Sequence, residues 1–150
     1  MRTIHVVTDI AAPVGTVWSV LTAVPQYADW NPFITSLRGD LVVGSRVDVR
    51  IEPPGGRPMR FRPTITEVNE GRRLEWLGRL VLPGIVDGRH SFTLADLGHC
   101  RTRLTQSEEF SGLLVPFTAT VLERTRAGFE AMNEALRARA EKAVATGAVE

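Results

Sequence analysis

The hydrophobic period of this chain changes once, and that change limits the folds open to it. From Phe33 to about Phe110, apolar side chains alternate in short runs. Turn signals separate the runs: "PPGG" at 53–56, "NEG" at 69–71, "LPG" at 82–84, "DG" at 87–88 and "DLG" at 96–98. The period then becomes helical in "FTATVLERTRAGFEAMNEALRARAEKA". Val121, Leu122, Thr125, Phe129, Met132 and Leu136 share one stripe there, with Glu123, Arg126, Glu130, Arg137 and Arg139 largely elsewhere. A helix of roughly 25 residues rises about 37 Å, long enough to cross a whole sheet. Such a helix needs an apolar face to lie on, and the preceding strands are what the chain offers.

Ahead of the strands, Ile4, Val6, Thr8 and Ile10 alternate through a β-branched stretch and predict a first strand. Pro13 stops it and suits the first turn of a short helix, in which Val14, Val17, Trp18 and Leu21 share a face. Gly15 weakens that helix slightly. Pro25 opens a second helix within reach of "YADWNPF" at 27–33; Tyr27 and Trp30 share its face, and Pro32 ends it at Asn31. Six strands fit between Phe33 and Phe110. Phe61 and Ile65 are at odd positions, whereas Leu74, Trp76, Leu80 and Leu82 are even, so the Glu70–Gly71 turn is expected to switch parity while keeping one face. His90, Phe92 and Leu94 then share even parity with Leu104, Gln106, Glu108 and Phe110 across the next hairpin. Consecutive hairpins make the sheet antiparallel.

The expectation is therefore an α+β fold, one domain over residues 1–150, with about seven antiparallel strands, two short helices after the first strand and a long C-terminal helix. The 18 basic and 17 acidic side chains are scattered without like-charge runs, which argues against nucleic acid or anionic lipid as a partner. No apolar stretch approaches a membrane span, and "MRTIHVVTDI" lacks the apolar core of a secretory signal, so a cytoplasmic location is expected. Cys100, the one cysteine, excludes an internal disulfide and a cysteine-based zinc cluster, and it reads as an inert residue near a turn. His5, His90 and His99 show no metal-ligand spacing, and "GGRP" at 55–58 lacks the strand-then-helix context of a phosphate loop. Neither a metal nor a cofactor is expected. Arg60 and Arg62 fall on the solvent parity of their strand.

In order and in the stretches "AAPVGTVWSVLT", "YADWNPF", "RRLEWLGR", "DGRHSFTL" and "EEFSGLLVPF", nearly the whole chain resembles the START-like, helix-grip superfamily called SRPBCC, and within it the polyketide cyclase/dehydrase-like branch. The resemblance implies a curved sheet wrapped around the C-terminal helix, with an interior cavity that takes an apolar small molecule. It implies two functions on that cavity. One is the binding of a small hydrophobic or aromatic molecule, polyketide- or lipid-like. The other is a polyketide cyclase/aromatase or dehydratase acting by acid/base catalysis. A third class, a protein-interaction module, would need an exposed apolar patch that the sequence does not supply. The chain is expected as a monomer or homodimer.

Within such a cavity, His90, Gln106 and Glu108 interrupt the apolar parity of the last hairpin. With its turn centred near Leu97 and Gly98, His90 lies opposite Gln106, and Glu108 is diagonal. Buried polar groups of this kind satisfy one another, orient a ligand's carbonyl or hydroxyl, or, for His90 and Glu108, form an acid/base pair. Trp30 and Phe33 are either a closure over the cavity or anchors of the helix-to-strand corner. Phe61, Trp76, Phe92, Leu104, Phe110, Phe129 and Met132 are expected to line the cavity, as they would line any core. Gly128, beside Phe129, either makes room or lets the helix pack closely. Asn31 is expected to hydrogen-bond the adjacent backbone. An empty apolar void of roughly 300 Å³ would cost about 7 kcal/mol, comparable with the whole stability of a domain, so ligand, water or side chains must fill it.

Overall fold

The computed structural model describes residues 1–79, 87–112 and 119–147. Leu80, Leu82, the 82–84 turn and the "EEFSGLLVPF" stretch beyond Gly112 lie outside the described residues. The β-branched start of the chain forms β1 (Arg2–Ile10). Pro13, extended at φ −62° and ψ 153°, caps α1 (Val14–Thr22), and its carbonyl accepts from the N–H groups of Thr16 and Val17 at 3.0 and 3.1 Å. Pro25 sits in a 3₁₀ turn (Val24–Gln26) that leads into the single-turn α2 (Tyr27–Trp30). Tyr27 is fully buried and its hydroxyl donates to the Leu21 carbonyl, fastening α2 to α1.

Asn31 ends α2 in an extended conformation, as its place before Pro32 requires. Its Oδ1 accepts from the N–H groups of Phe33 (3.0 Å) and Ile34 (2.9 Å), the local backbone role expected of it. The chain continues as β2 (Ile34–Arg38), β3 (Asp48–Ile51), β4 (Met59–Phe61), β5 (Thr64–Asn69), β6 (Arg73–Arg79), β7 (Asp87–Gly98) and β8 (Arg101–Ser111), then α3 (Ala119–Ala145). All described pairings are antiparallel.

Among the described residues there are eight strands where about seven were expected, in two ladders ordered β1-β8-β7-β6-β5 and β2-β3-β4. The difference arises at Pro63, which has no N–H to give a ladder and separates Phe61 from Ile65. The ladders meet where Val47 donates to the Pro63 carbonyl (3.0 Å) and Ile65 to the Ser45 carbonyl (2.8 Å), beside the Arg46–Thr64 bridge. The parity switch also moves. Asn69 pairs with Arg73 across a turn in which Gly71 takes φ 74°, and this turn conserves parity. The switch lies at a bulge between Ile65 and Glu67, so that Ile65 faces Trp76.

α3 lies along β1 and α1. It buries Leu122, Thr125, Gly128, Phe129, Met132, Asn133, Leu136 and Ala140, whereas Val121 is 46% exposed and leaves the expected stripe. The opposite face of the five-stranded sheet is polar. There the Glu75 carboxylate accepts from Thr66, Arg73 and Arg89 at 2.9, 2.7 and 2.9 Å. Arg60 and Arg62 are exposed as expected, Arg62 pairing with Asp48 at 2.9 Å.

Candidate functional site

The polar residues on the helix-facing side of β7 and β8 form one file. The register that arranges them differs from expectation. His99 and Cys100, at φ 54° and 58°, make a two-residue turn between the paired Gly98 and Arg101, and a bulge lies between Asp96 and Gly98. His90 is consequently opposite Glu108, and Gln106 is opposite Phe92. Two consecutive non-glycine residues at positive φ are uncommon, whereas Gly98 is the ordinary turn residue, which is why the turn centre reads too early.

Gln106 stands diagonal to His90, and its Oε1 is 2.9 Å from His90 Nε2. Its Nε2 donates to Asn133 Oδ1 on α3 at 2.7 Å. Asn133 Nδ2 donates in turn to the Val6 carbonyl and to Thr8 Oγ1, both at 3.2 Å. Sheet, helix and first strand are thereby joined through a chain of side-chain amides, with Gln106 and Asn133 fully buried. At the other end, Glu108 Oε1 lies 3.8 Å from His90 Nδ1, too far for a hydrogen bond.

Three rings hold the imidazole: Phe92 stacks on it at 4.8 Å, Phe129 lies at 4.8 Å and Trp76 at 4.9 Å. Burial in this shell pushes His90 down to a pKa of about 4, against a smaller opposing effect of its hydrogen bond to Gln106. Glu108 sits over Gly88, where a β-carbon would come within 2.3 Å of its Oε2. Desolvation pushes its pKa up to about 8, although 16% of the side chain stays open to solvent. At neutral pH the two groups are a carboxylic acid and an uncharged imidazole, facing one another across a gap.

Gly88 pairs with Gly78, so two adjacent strands present bare backbone beside Glu108. The Phe61 ring covers Gly78, 3.4 Å from where its β-carbon would be, and Phe110 approaches Gly88 at 3.7 Å. Phe61, Gly78, Gly88 and Phe110 thus surround Glu108, where the inner face still reaches solvent, and the rings around His90 form its dry end.

Of the residues expected at the site, Trp76, Phe92, Gln106, Glu108 and Phe129 are assembled around the His90 imidazole, with Phe61 and Phe110 against the paired glycines beside Glu108. Leu104 and Met132 are buried core. Gly128 makes no room. A β-carbon there would stand 2.2 Å from Phe33 Cδ1, so the Phe33 ring fills the notch and meets Phe129 edge to face at 5.6 Å. Phe33 is an anchor under α3. Trp30 touches Tyr27 at 5.2 Å and borders a different cleft of about 410 Å³, between α1 and the end of α3, with Val20, Arg139 and Lys142. Asn133, Gly78 and Gly88 were not singled out by the sequence reading. Asn133 could have been found, since it falls four residues after Phe129 on the buried stripe.

Among the described residues, no helix is long and apolar enough to cross a membrane. The family described as "Polyketide cyclase / dehydrase and lipid transport" matches residues 1–141. No curated protein matches the sequence. Solved structures with the same fold include the Zhui aromatase/cyclase of Streptomyces sp. R1128, at TM-score 0.79, 18% identity and 95% coverage of both chains. A START superfamily protein of Mycobacterium smegmatis aligns at TM-score 0.72 and 18% identity, covering 95% of this chain and 99% of its own. Norcoclaurine synthase of Thalictrum flavum, in complex with a transition-state analogue, aligns at 0.70 and 19%, covering 94% of each chain. At these identities the likeness is one of fold.

Proposed function

The chain belongs to the polyketide cyclase/dehydrase and lipid transport family, and we propose that it encloses a small hydrophobic or aromatic molecule, polyketide- or lipid-like, between the sheet and α3. The molecule's polar group sits at Glu108 and His90 and its apolar body lies against Phe61, Trp76 and Phe110. One observation carries this reading. Glu108 and His90 Nδ1 face each other 3.8 Å apart on the inner side of the sheet, unbonded to each other, and 16% of the Glu108 side chain still reaches solvent. Removing such groups from water without partners costs on the order of 1–3 kcal/mol each, and a ligand that pairs with both recovers it. Native mass spectrometry of freshly purified protein, followed by displacement of an environment-sensitive apolar dye, tests the reading. The expected result is saturable, displaceable binding that weakens in Phe61→Ala and Glu108→Ala; a broad apolar panel with no saturable binder overturns it.

The same pair favours a second reading, a dehydratase or cyclase. A protonated Glu108 could protonate a departing hydroxyl while His90 Nδ1 takes a proton from the carbon next to a carbonyl, releasing water. Binding comes first because an imidazole with a pKa of about 4 is a weak base for a carbon acid. Turnover that disappears in His90→Gln while binding persists would reverse that order.

A further inference from the structure

The file of amides has a direction, and the direction assigns a proton. The Val6 carbonyl can only accept, so the Asn133 atom facing it must be the donor Nδ2. Oδ1 is then what Gln106 meets, and Gln106 must present its NH₂ there. Its Oε1 is left for His90, and an acceptor at 2.9 Å requires His90 Nε2 to carry the hydrogen. In the uncharged ring Nδ1 is therefore a bare lone pair, aimed at Glu108 Oε1 across 3.8 Å. An oxygen placed about 2.8 Å from each would bridge the gap, at an ordinary hydrogen-bond distance on both sides.

Resting on the reading that a ligand is enclosed here, we propose that it is a neutral molecule with a hydroxyl, a phenol or enol, whose O–H donates to His90 Nδ1 and accepts from Glu108. Gln106 and Asn133 are positioning residues that hold His90 in the tautomer this requires. An ether fits the gap but has no proton for Nδ1. An anion meets an acid and a lone pair with no cationic partner: no described Arg or Lys forms an ion pair with Glu108, and burial keeps both His90 and Glu108 uncharged at neutral pH. Charge selection thus comes from the lack of a cation against Glu108 among the described residues, and donor selection from an amide two contacts away.

The test labels the histidine ring nitrogens with ¹⁵N in a His5→Gln, His99→Asn background, which leaves His90 as the sole signal and alters two exposed positions. The expected spectrum at neutral pH is the uncharged Nε2–H tautomer; an Nδ1–H tautomer overturns the assignment. Asn133→Asp keeps an oxygen toward Gln106 and should keep the tautomer, whereas Asn133→Leu frees the Gln106 amide to turn and should mix the two. Retention of a pure tautomer in Asn133→Leu overturns the positioning role, and if that variant fails to fold, loss of the tautomer in Asn133→Asp does so. 2-Naphthol, 2-methoxynaphthalene and 2-naphthoate are then titrated. Naphthol should bind at least about tenfold more tightly than either analogue, the value of one lost hydrogen bond, and should move the Nδ1 resonance. Equal affinities overturn the ligand class while sparing the enclosure reading. Failure of all three to bind while the apolar dye still binds saturably overturns the ligand class alone, failure of the dye and the apolar panel as well overturns the enclosure reading, and the tautomer still stands or falls on its own spectrum.

Discussion

Replacing Glu108 by Gln should change how stability depends on pH, in a direction fixed by two opposed groups. Burial raises Glu108 from 4.5 to about 8 and lowers His90 from 6.5 to about 4. Between pH 4.5 and 8 the folded protein holds a proton on Glu108 that the unfolded chain has released, so this group's contribution falls as pH rises. Between pH 4 and 6.5 the unfolded chain holds a proton on His90 that the folded protein refuses, so that contribution increases with pH. The two cancel from about pH 4.5 to 6.5, leaving a plateau. Above pH 6.5 only Glu108 acts, and about 1.5 pH units at ~1.4 kcal/mol each remove about 2 kcal/mol by pH 8. In a chain of this length that is a fall in Tm of roughly 4–8 °C. Thermal melts followed by circular dichroism from pH 4 to 9, differenced against Glu108→Gln, isolate the effect from every other titrating group. The variant should lose the decline above pH 6.5 and show an uncovered rise between pH 4 and 6.5. Parallel profiles for the two proteins between pH 6.5 and 8 would refute the idea that Glu108 is buried uncharged.

Two backbone positions give further checks. Gly128→Ala gains up to ~1 kcal/mol of helix propensity but drives a methyl into the buried Phe33 ring, so a net loss of about 1–2 kcal/mol is expected in urea unfolding; Phe33→Leu in the same chain should recover most of it. A Gly128→Ala protein as stable as the parent would show that the ring is not fixed there. Gly15→Ala, in α1 with nothing within 4 Å of the new methyl, should stabilise by about 0.5–1 kcal/mol in the same assay, and a loss would contradict the open setting of that position.

The order of elements was legible because hydrophobic period is a local property: alternation marks β1 and the hairpins, and the 3–4 spacing marks α3. What decides between neighbours is not local. Val121 and Leu122 are adjacent apolar residues about 100° apart on the helix, and the period accepts either as the inward one. Only the position of β1 and α1 around α3 selects Leu122 and leaves Val121 in solvent. The break at Pro63 and the bulge after Ile65 are of the same kind, since a bulge is defined by the partner strand rather than by the residues that form it.

The site shows why faces are easier to read than partners. The expected register set His90 against Gln106 and the observed one sets it against Glu108, a shift of two residues, and a shift of two leaves every side chain on its original face. His90, Gln106 and Glu108 therefore reached the inner side under either register, but only the observed one puts the acid directly opposite the imidazole. Asn133 was lost differently, because a stripe recognised by counting apolar residues passes over the polar one within it. Its position four residues after Phe129 obliges it to face the sheet, and a buried amide needs partners beyond its own helix. The inward glutamine of β8 supplies the one it requires, and the first consequence of that contact is the placement of a proton on a ring that Asn133 does not touch.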